Sequence, residues 1–173
     1  MTALETPNLL SVTMEVTFRL ARADDLPKLE WYGQYTHFRA VFKRTYRDQL
    51  QGRRLMLIAE CNDFPIGQVF MQTGRDNRQR TYFYSLRVMD MFRGKGIGTR
   101  LLEEAESIAM AYGYQAATIA AAKDNPRARS LYERHGYQLI GEDAGIWSYI
   151  DHENKTRHVH EPCWVLEKRL IIR

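Results

Sequence analysis

Cysteine is scarce in this chain: two residues among 173, Cys61 and Cys163. Each lies inside an apolar, strand-like run, which favours two reduced, buried thiols over a disulfide framework or a nucleophile. No apolar run approaches the roughly 20 residues that cross a bilayer, and no basic-then-apolar secretion signal opens the chain. These absences predict a cytoplasmic protein without membrane partners. Internal repeats and low-complexity tracts are also missing. Neither sign of charge dominates, since 25 Lys and Arg face 21 Asp and Glu for a formal net charge of +4. That balance suits a polyanionic ligand without requiring one.

What the chain has is regular patterning. Residues 1–13 show no period and contain Pro7 and Asn8, which predicts a flexible arm ahead of one domain over 14–173. Residues 16–22 alternate as a strand, and Asp24 is placed to cap a short helix reaching about Gly33. A second helix over 36–50 carries an apolar stripe of Phe38, Val41, Phe42, Tyr46 and Leu50. Its cations Arg39, Lys43, Arg44 and Arg47 fall mostly on the other side and read as a solvated face rather than a nucleic-acid footprint. Residues 55–61 and 64–73 form a hairpin pattern around Asn62-Asp63, and a polar connector, 74–80, leads to a strand-like run over 81–89. A clear helical period covers 97–112 and stops at Gly113, and 115–122 is a compact apolar strand pattern. Asn125-Pro126 reads as a cap followed by proline at the first helical position, with Gly136 closing that helix. Strands at 137–141 and about 163–170 complete the order, whereas 142–161, polar and histidine-bearing, gives no pattern. Helices following strands predict an α/β sandwich with a mixed, twisted sheet.

The densest signal is Arg93-Gly94-Lys95-Gly96-Ile97-Gly98, between a strand-like and a helical run. Glycines there let the main chain turn sharply and approach a ligand, and a helix start aims unpaired N–H groups and a positive dipole end at one spot. That combination suits a phosphate. A P-loop is excluded because no lysine followed by Ser or Thr closes a GxxxxGK[ST] pattern, and a Rossmann fingerprint because the glycines stand first, third and fifth, mid-chain.

The run 86–98, Leu-Arg-Val-Met-Asp-Met-Phe-Arg-Gly-Lys-Gly-Ile-Gly, instead resembles the acetyl-CoA motif of the GNAT superfamily of N-acetyltransferases. A second run, 125–137, Asn-Pro-Arg-Ala-Arg-Ser-Leu-Tyr-Glu-Arg-His-Gly-Tyr, is similar to the family's downstream cofactor motif, and 19–26 to its first strand and helix start. One departure is Asp90, where many members have proline.

The resemblance implies a GNAT-like three-layer α/β sandwich whose central sheet is splayed, with the pantetheine arm of acetyl-CoA lying between the parted fourth and fifth strands. Main-chain groups of Leu86, Arg87 and Val88 would hold pantetheine and the acetyl carbonyl, with an N–H near Val88 as oxyanion donor. The N–H groups of Arg93, Gly94, Lys95, Gly96, Ile97 and Gly98, with Thr99, would hold the pyrophosphate, and Asn125 and Arg129 would join the cofactor contacts. Tyr132 would be the general acid that protonates the leaving thiolate, the alternative being simple packing against the sheet. The implied reaction is direct acetyl transfer to a primary amine of a small molecule or peptide, with no metal and no nucleic acid, and with a homodimer allowed. A non-catalytic acyl-CoA-binding regulator is the alternative on the same scaffold. The base stays open among Glu60, Tyr84, Asp151, His158, His160 and a water chain. Asp151, His152, His158 and His160 lack the tight repeated spacing of a structural zinc site. For the acceptor, the aromatic set Trp31, Tyr32, Tyr35, His37, Phe38, Trp147 and Tyr149 offers either cation–π attraction for an amine or ordinary packing.

Overall fold

A computed structural model describes residues 9–73 and 79–170. Residues 1–8 of the expected arm and 74–78 of the expected connector lie outside the described residues. The described elements run β1 (Thr17–Leu20), α1 (Asp25–Lys28), α2 (Arg39–Leu50), β2 (Arg54–Cys61), β3 (Phe64–Gln72), β4 (Arg80–Val88), α3 (Ile97–Ala111), β5 (Ala116–Ala122), α4 (Pro126–Arg134), β6 (Gln138–Asp143), β7 (Ile146–Ile150), β8 (Thr156–His160) and β9 (Cys163–Arg169). Seven strands form one sheet in the order β1-β2-β3-β4-β5-β9-β6, and β7 pairs with β8 alone.

Strand alternation sorts the sheet's two faces. On β2, Leu55, Leu57, Ala59 and Cys61 join the core under α3, while Met56 and Ile58 join Ala21, Leu29, Phe42 and Phe70 under α1 and α2. Helix α3 buries Ile97, Leu101, Leu102, Ala105 and Ala109, the stripe its 3.6-residue period predicts. Each large apolar side chain sealed this way contributes about 1.5–3 kcal/mol. The result is three layers, as expected. The β2–β3 hairpin turns on Asn62 and Asp63 with φ of 51° and 58°, the left-handed pair of a two-residue hairpin loop.

Three local expectations change. The first helix is one turn, and its start is held by the neighbour of Asp24. The Asp24 side chain makes no capping bond. Asp25 instead accepts from the Arg22 N–H at 2.7 Å and from both terminal nitrogens of Arg19 at 2.7 and 3.0 Å. Residues 36–38 form a 3-10 turn before α2 rather than its first turn.

The unpatterned region contains the β7–β8 hairpin, which packs against α2. Its base closes at Gly145, where a Cβ would sit 1.7 Å from the Glu161 carbonyl oxygen, so only glycine fits. At its tip Asp151 accepts from the N–H groups of Glu153 and Lys155, both at 2.9 Å, and from Arg157 Nε at 2.6 Å.

The feature that matters for function lies in β4. It pairs with β5 in parallel only from Arg80–Ala116 to Phe83–Ile119, and the two strands then part. Along its other edge, Phe70 pairs with Tyr84 but Gln68 pairs with Arg87, so β4 holds one extra residue. The bulge sits at Ser85, with φ of 54°, and Gln68 Nε2 holds its carbonyl at 3.2 Å. The extra residue reverses the alternation: Tyr84 packs on the α2 side, yet Leu86 and Val88 pack on the α3 side. Arg87 is thereby turned toward α2.

Candidate active site

The parted strands present main chain to the gap. The Met89 N–H donates to the Ile66 carbonyl of β3 at 2.9 Å. Strand N–H groups alternate direction, so Leu86 and Val88 present theirs on the opposite edge, where β5 has withdrawn. The Val88 carbonyl on that edge accepts from Arg93 Nε at 3.1 Å.

At the end of the gap α3 begins. Gly94 and Gly96 adopt φ of 73° and 82°, and a Cβ on either would meet nothing within 4 Å, so backbone conformation rather than crowding calls for glycine. The first α3 residue to find a helical acceptor is Arg100, whose N–H reaches the Gly96 carbonyl at 3.0 Å. That leaves the N–H groups of Ile97, Gly98 and Thr99 at the helix start without main-chain partners among the described residues. Arg93 departs from expectation, because its own N–H is spent on the Asp90 carbonyl at 3.2 Å. Its guanidinium pairs with the Asp90 carboxylate at 2.9 Å, and Lys95 Nζ donates to the Met91 carbonyl at 3.1 Å. Asp90, the residue standing where proline is common, thus braces the turn. A cavity of about 340 Å³ beside it is lined by Val12, Met14, Val16, Lys95 and Ile97. The free N–H groups, the dipole end and two cations fit a pyrophosphate.

Helix α4 closes the site. A Cβ on Gly98 would lie 3.7 Å from Val88 and 3.9 Å from Leu131, so the ends of β4, α3 and α4 meet there. Asn125 caps α4 by accepting from the Ala128 N–H at 3.1 Å, with Pro126 following as expected. Its amide nitrogen donates to no described residue. Arg129 points elsewhere: it pairs with Glu133 at 2.8 Å and lies 5.0 Å from the Trp164 ring. Tyr132 is buried, its ring 6.2 Å from that of Tyr137, and its hydroxyl bonds to no described residue. Burial, then the nearby Tyr82 hydroxyl, pushes its pKa well above the usual phenol range. The phenol therefore keeps its proton at neutral pH and can only donate it.

On the other face of β4 the aromatic set divides. Phe38 lies 4.9 Å from Tyr149 and 6.4 Å from Trp147, ring to ring, while His37 lies 4.2 Å from Phe38 and 6.2 Å from Tyr149. Tyr35 joins them at 6.2 Å from Phe38, and the Arg87 guanidinium lies 4.5 Å from the Tyr35 ring and 5.0 Å from Phe38. Trp31 instead belongs to the core, its indole N–H donating to the Pro65 carbonyl at 2.8 Å, and Tyr32 stacks on Phe64 at the surface.

The base candidates read from sequence are engaged or distant. Arg19 binds Glu60 at 2.9 Å and holds its carboxyl below the usual range. Hydrogen bonds, first from the Lys155 N–H, hold Asp151 at about 2. Tyr84 accepts from Arg54 at 2.6 Å, and burial raises its pKa. His158 and His160 are exposed on β8. His37 was not among the base candidates read from sequence: burial, then the charge of Arg87, lowers its pKa below the ordinary 6.5. The bulge at Ser85 had no sequence signal, since 81–89 reads as one uninterrupted strand-like run.

Cys61 is buried and Cys163 half-buried, both free, and burial raises the Cys163 thiol. That opposes a nucleophile's role. Among the described residues no group of three or more His, Cys, Asp or Glu is placed to hold a metal, and no helix is long and apolar enough to cross a membrane. A larger cavity, about 620 Å³, lies near the opposite ends of the strands between Arg44, Arg47, Asp48, Gln51, Arg53, Arg54 and Gln72. Asp48 there pairs with both Arg53 and Arg54.

A mixed sheet parted at its centre, with free N–H groups at a helix start beside the gap, defines a three-layer α/β protein of the acyltransferase kind. The chain belongs to the Acetyltransferase (GNAT) family, whose model matches residues 20–137. It is 37% identical over 98 residues to an uncharacterized N-acetyltransferase, YhfO, of Bacillus subtilis (strain 168), a match covering 55% of this chain and 64% of that relative. The fold is similar to Ard1 from Thermoplasma volcanium, with a TM-score of 0.72 at 12% identity over 91% of this chain and 99% of the other. It is also similar to Arabidopsis thaliana NAA60, solved in complex with acetyl-CoA, with a TM-score of 0.67 at 16% identity over 90% and 99%.

Proposed function

We propose that the chain transfers an acetyl group from acetyl-CoA directly to a primary amine. The observation carrying this reading is the gap beyond Phe83: main-chain groups of Leu86 and Val88 line one edge, and the open N–H groups of Ile97 to Thr99 stand at its end. The Val88 N–H stabilises charge developing on the thioester oxygen as the amine attacks. The C–N bond forms as the C–S bond breaks. Tyr132 gives its proton to the departing sulfur, and His37, held neutral, takes the proton that the amine loses, directly or through water. A phenol with a raised pKa is a weak acid, but a thiolate expelled into the same apolar surroundings is a stronger base than in water.

The kinship to N-acetyltransferases supports an amine as acceptor. Thiol release from acetyl-CoA across polyamine, aminoglycoside, amino-acid and peptide N-terminal amines tests the reading. Release above background with at least one class is expected. Tight acetyl-CoA binding with release for none would favour the non-catalytic regulator.

A further inference from the structure

We propose that Arg87 is a carboxylate receptor in the acceptor cage, so that the amine acetylated here also carries a carboxylate; this rests on the transferase reading above. Arg87 stands between the two residues whose main chain faces the gap, and the Ser85 bulge sends its side chain to the α2 face, away from the phosphate turn. Tyr35 and Phe38 cover the guanidinium at 4.5 and 5.0 Å. Aromatic rings accept no hydrogen bond in the plane of the guanidinium, so the two neighbours leave its fork of N–H donors unspent.

No carboxylate lies within 4 Å of that fork, and no acceptor bonds it, among the described residues. Four arginines of the same half are paired: Arg19 holds Asp25 and Glu60, Arg39 holds Glu30, Arg54 holds Asp48, and Arg157 holds Asp151. Glu161 is near enough only for its field to be felt. Burial disfavours the charge on Arg87, as its lowered pKa reflects. Arg87 is only partly buried, and its nitrogens open onto the cage.

A half-buried cation beside two aromatic rings, with free donors, is built for a bidentate anion. It also repels a plain ammonium ion. A carboxylate on the fork removes that repulsion and fixes where the amine points. An acetyl group placed on the amine leaves the carboxylate intact, so recognition and chemistry stay on separate groups.

Two matched pairs test this: L-phenylalanine against phenethylamine, and 4-aminobutyrate against butylamine. In at least one pair the carboxylate member is expected to show a kcat/KM about 10–100-fold higher, the value of a charge-assisted hydrogen bond. R87Q should collapse the ratio, and R87K should restore it only in part. Binding gives a readout without turnover. By calorimetry, 3-phenylpropionate or butyrate should bind the wild-type protein, and the matching amides should bind far more weakly. Equal kcat/KM within both pairs, or equal binding of acids and amides, overturns the proposal even if R87Q fails to fold. Should no amine release thiol, the transferase reading falls, and the calorimetry alone decides for or against the receptor.

Discussion

The two halves of the site are built in different ways. On the proposed function the donor half, from β4 through α3 to α4, works with main chain: N–H groups at Leu86, Val88 and Ile97–Thr99, set by a bulge, a parted sheet and a glycine turn. The proposed acceptor half works with side chains from three distant segments, His37 and Phe38 before α2, Arg87 on β4, and Trp147 and Tyr149 on the β7–β8 hairpin. A main-chain site depends on conformation, so it is damaged by changing backbone preference. A side-chain site can be changed one contact at a time and leave the fold standing.

Substitutions should separate the halves. Tyr132→Phe removes the proton donor and nothing else, so kcat should fall about 100-fold with little change in acetyl-CoA affinity. Unchanged turnover in steady-state assays would leave Tyr132 a packing residue. Gly96→Val forces a β-branched residue to φ of 82°. The strain distorts the row of N–H groups, and acetyl-CoA should bind about 30-fold more weakly by calorimetry, an effect built from about 2 kcal/mol.

His37→Gln touches only the acceptor half. It should lower kcat/KM about tenfold at neutral pH. Because the His37 pKa lies below 6.5, wild-type activity should persist at neutral pH and decline as pH falls through that lowered value. The variant should lose this acid limb; an identical limb would exclude His37 as the base.

The smallest effect on chemistry is expected at Asp25, outside both halves. Asp25→Asn should cost about 2 kcal/mol in denaturant unfolding, by weakening charged hydrogen bonds. Arg19 and the Arg22 N–H outweigh desolvation and hold the Asp25 carboxyl below its usual 3.8. The advantage over the variant should therefore be full above about pH 4 and disappear as pH falls through that lowered value.

The same division explains what could be read before the structure. The glycine turn, the Asn125-Pro126 cap and the α3 stripe are local patterns, and all appear where the sequence places them. The Ser85 bulge is set by pairing with β3 and by Gln68, contacts that the run over 81–89 does not carry in itself. The β7–β8 hairpin depends on Gly145 against Glu161 and on Asp151 folding its own tip, contacts without a period. Asp24 and Asp25 compete for one helix start, and the Arg22 N–H and the distant Arg19 side chain favour Asp25.

The central claim is that a parted sheet and a helix start bind acetyl-CoA through main chain. Backbone amide NMR during an acetyl-CoA titration tests it most directly. The account predicts that the amide signals of Leu86, Val88, Ile97, Gly98 and Thr99 shift together and saturate with one binding curve. Signals that stay fixed at these residues while those around Arg44, Arg47 and Arg53 move would contradict it.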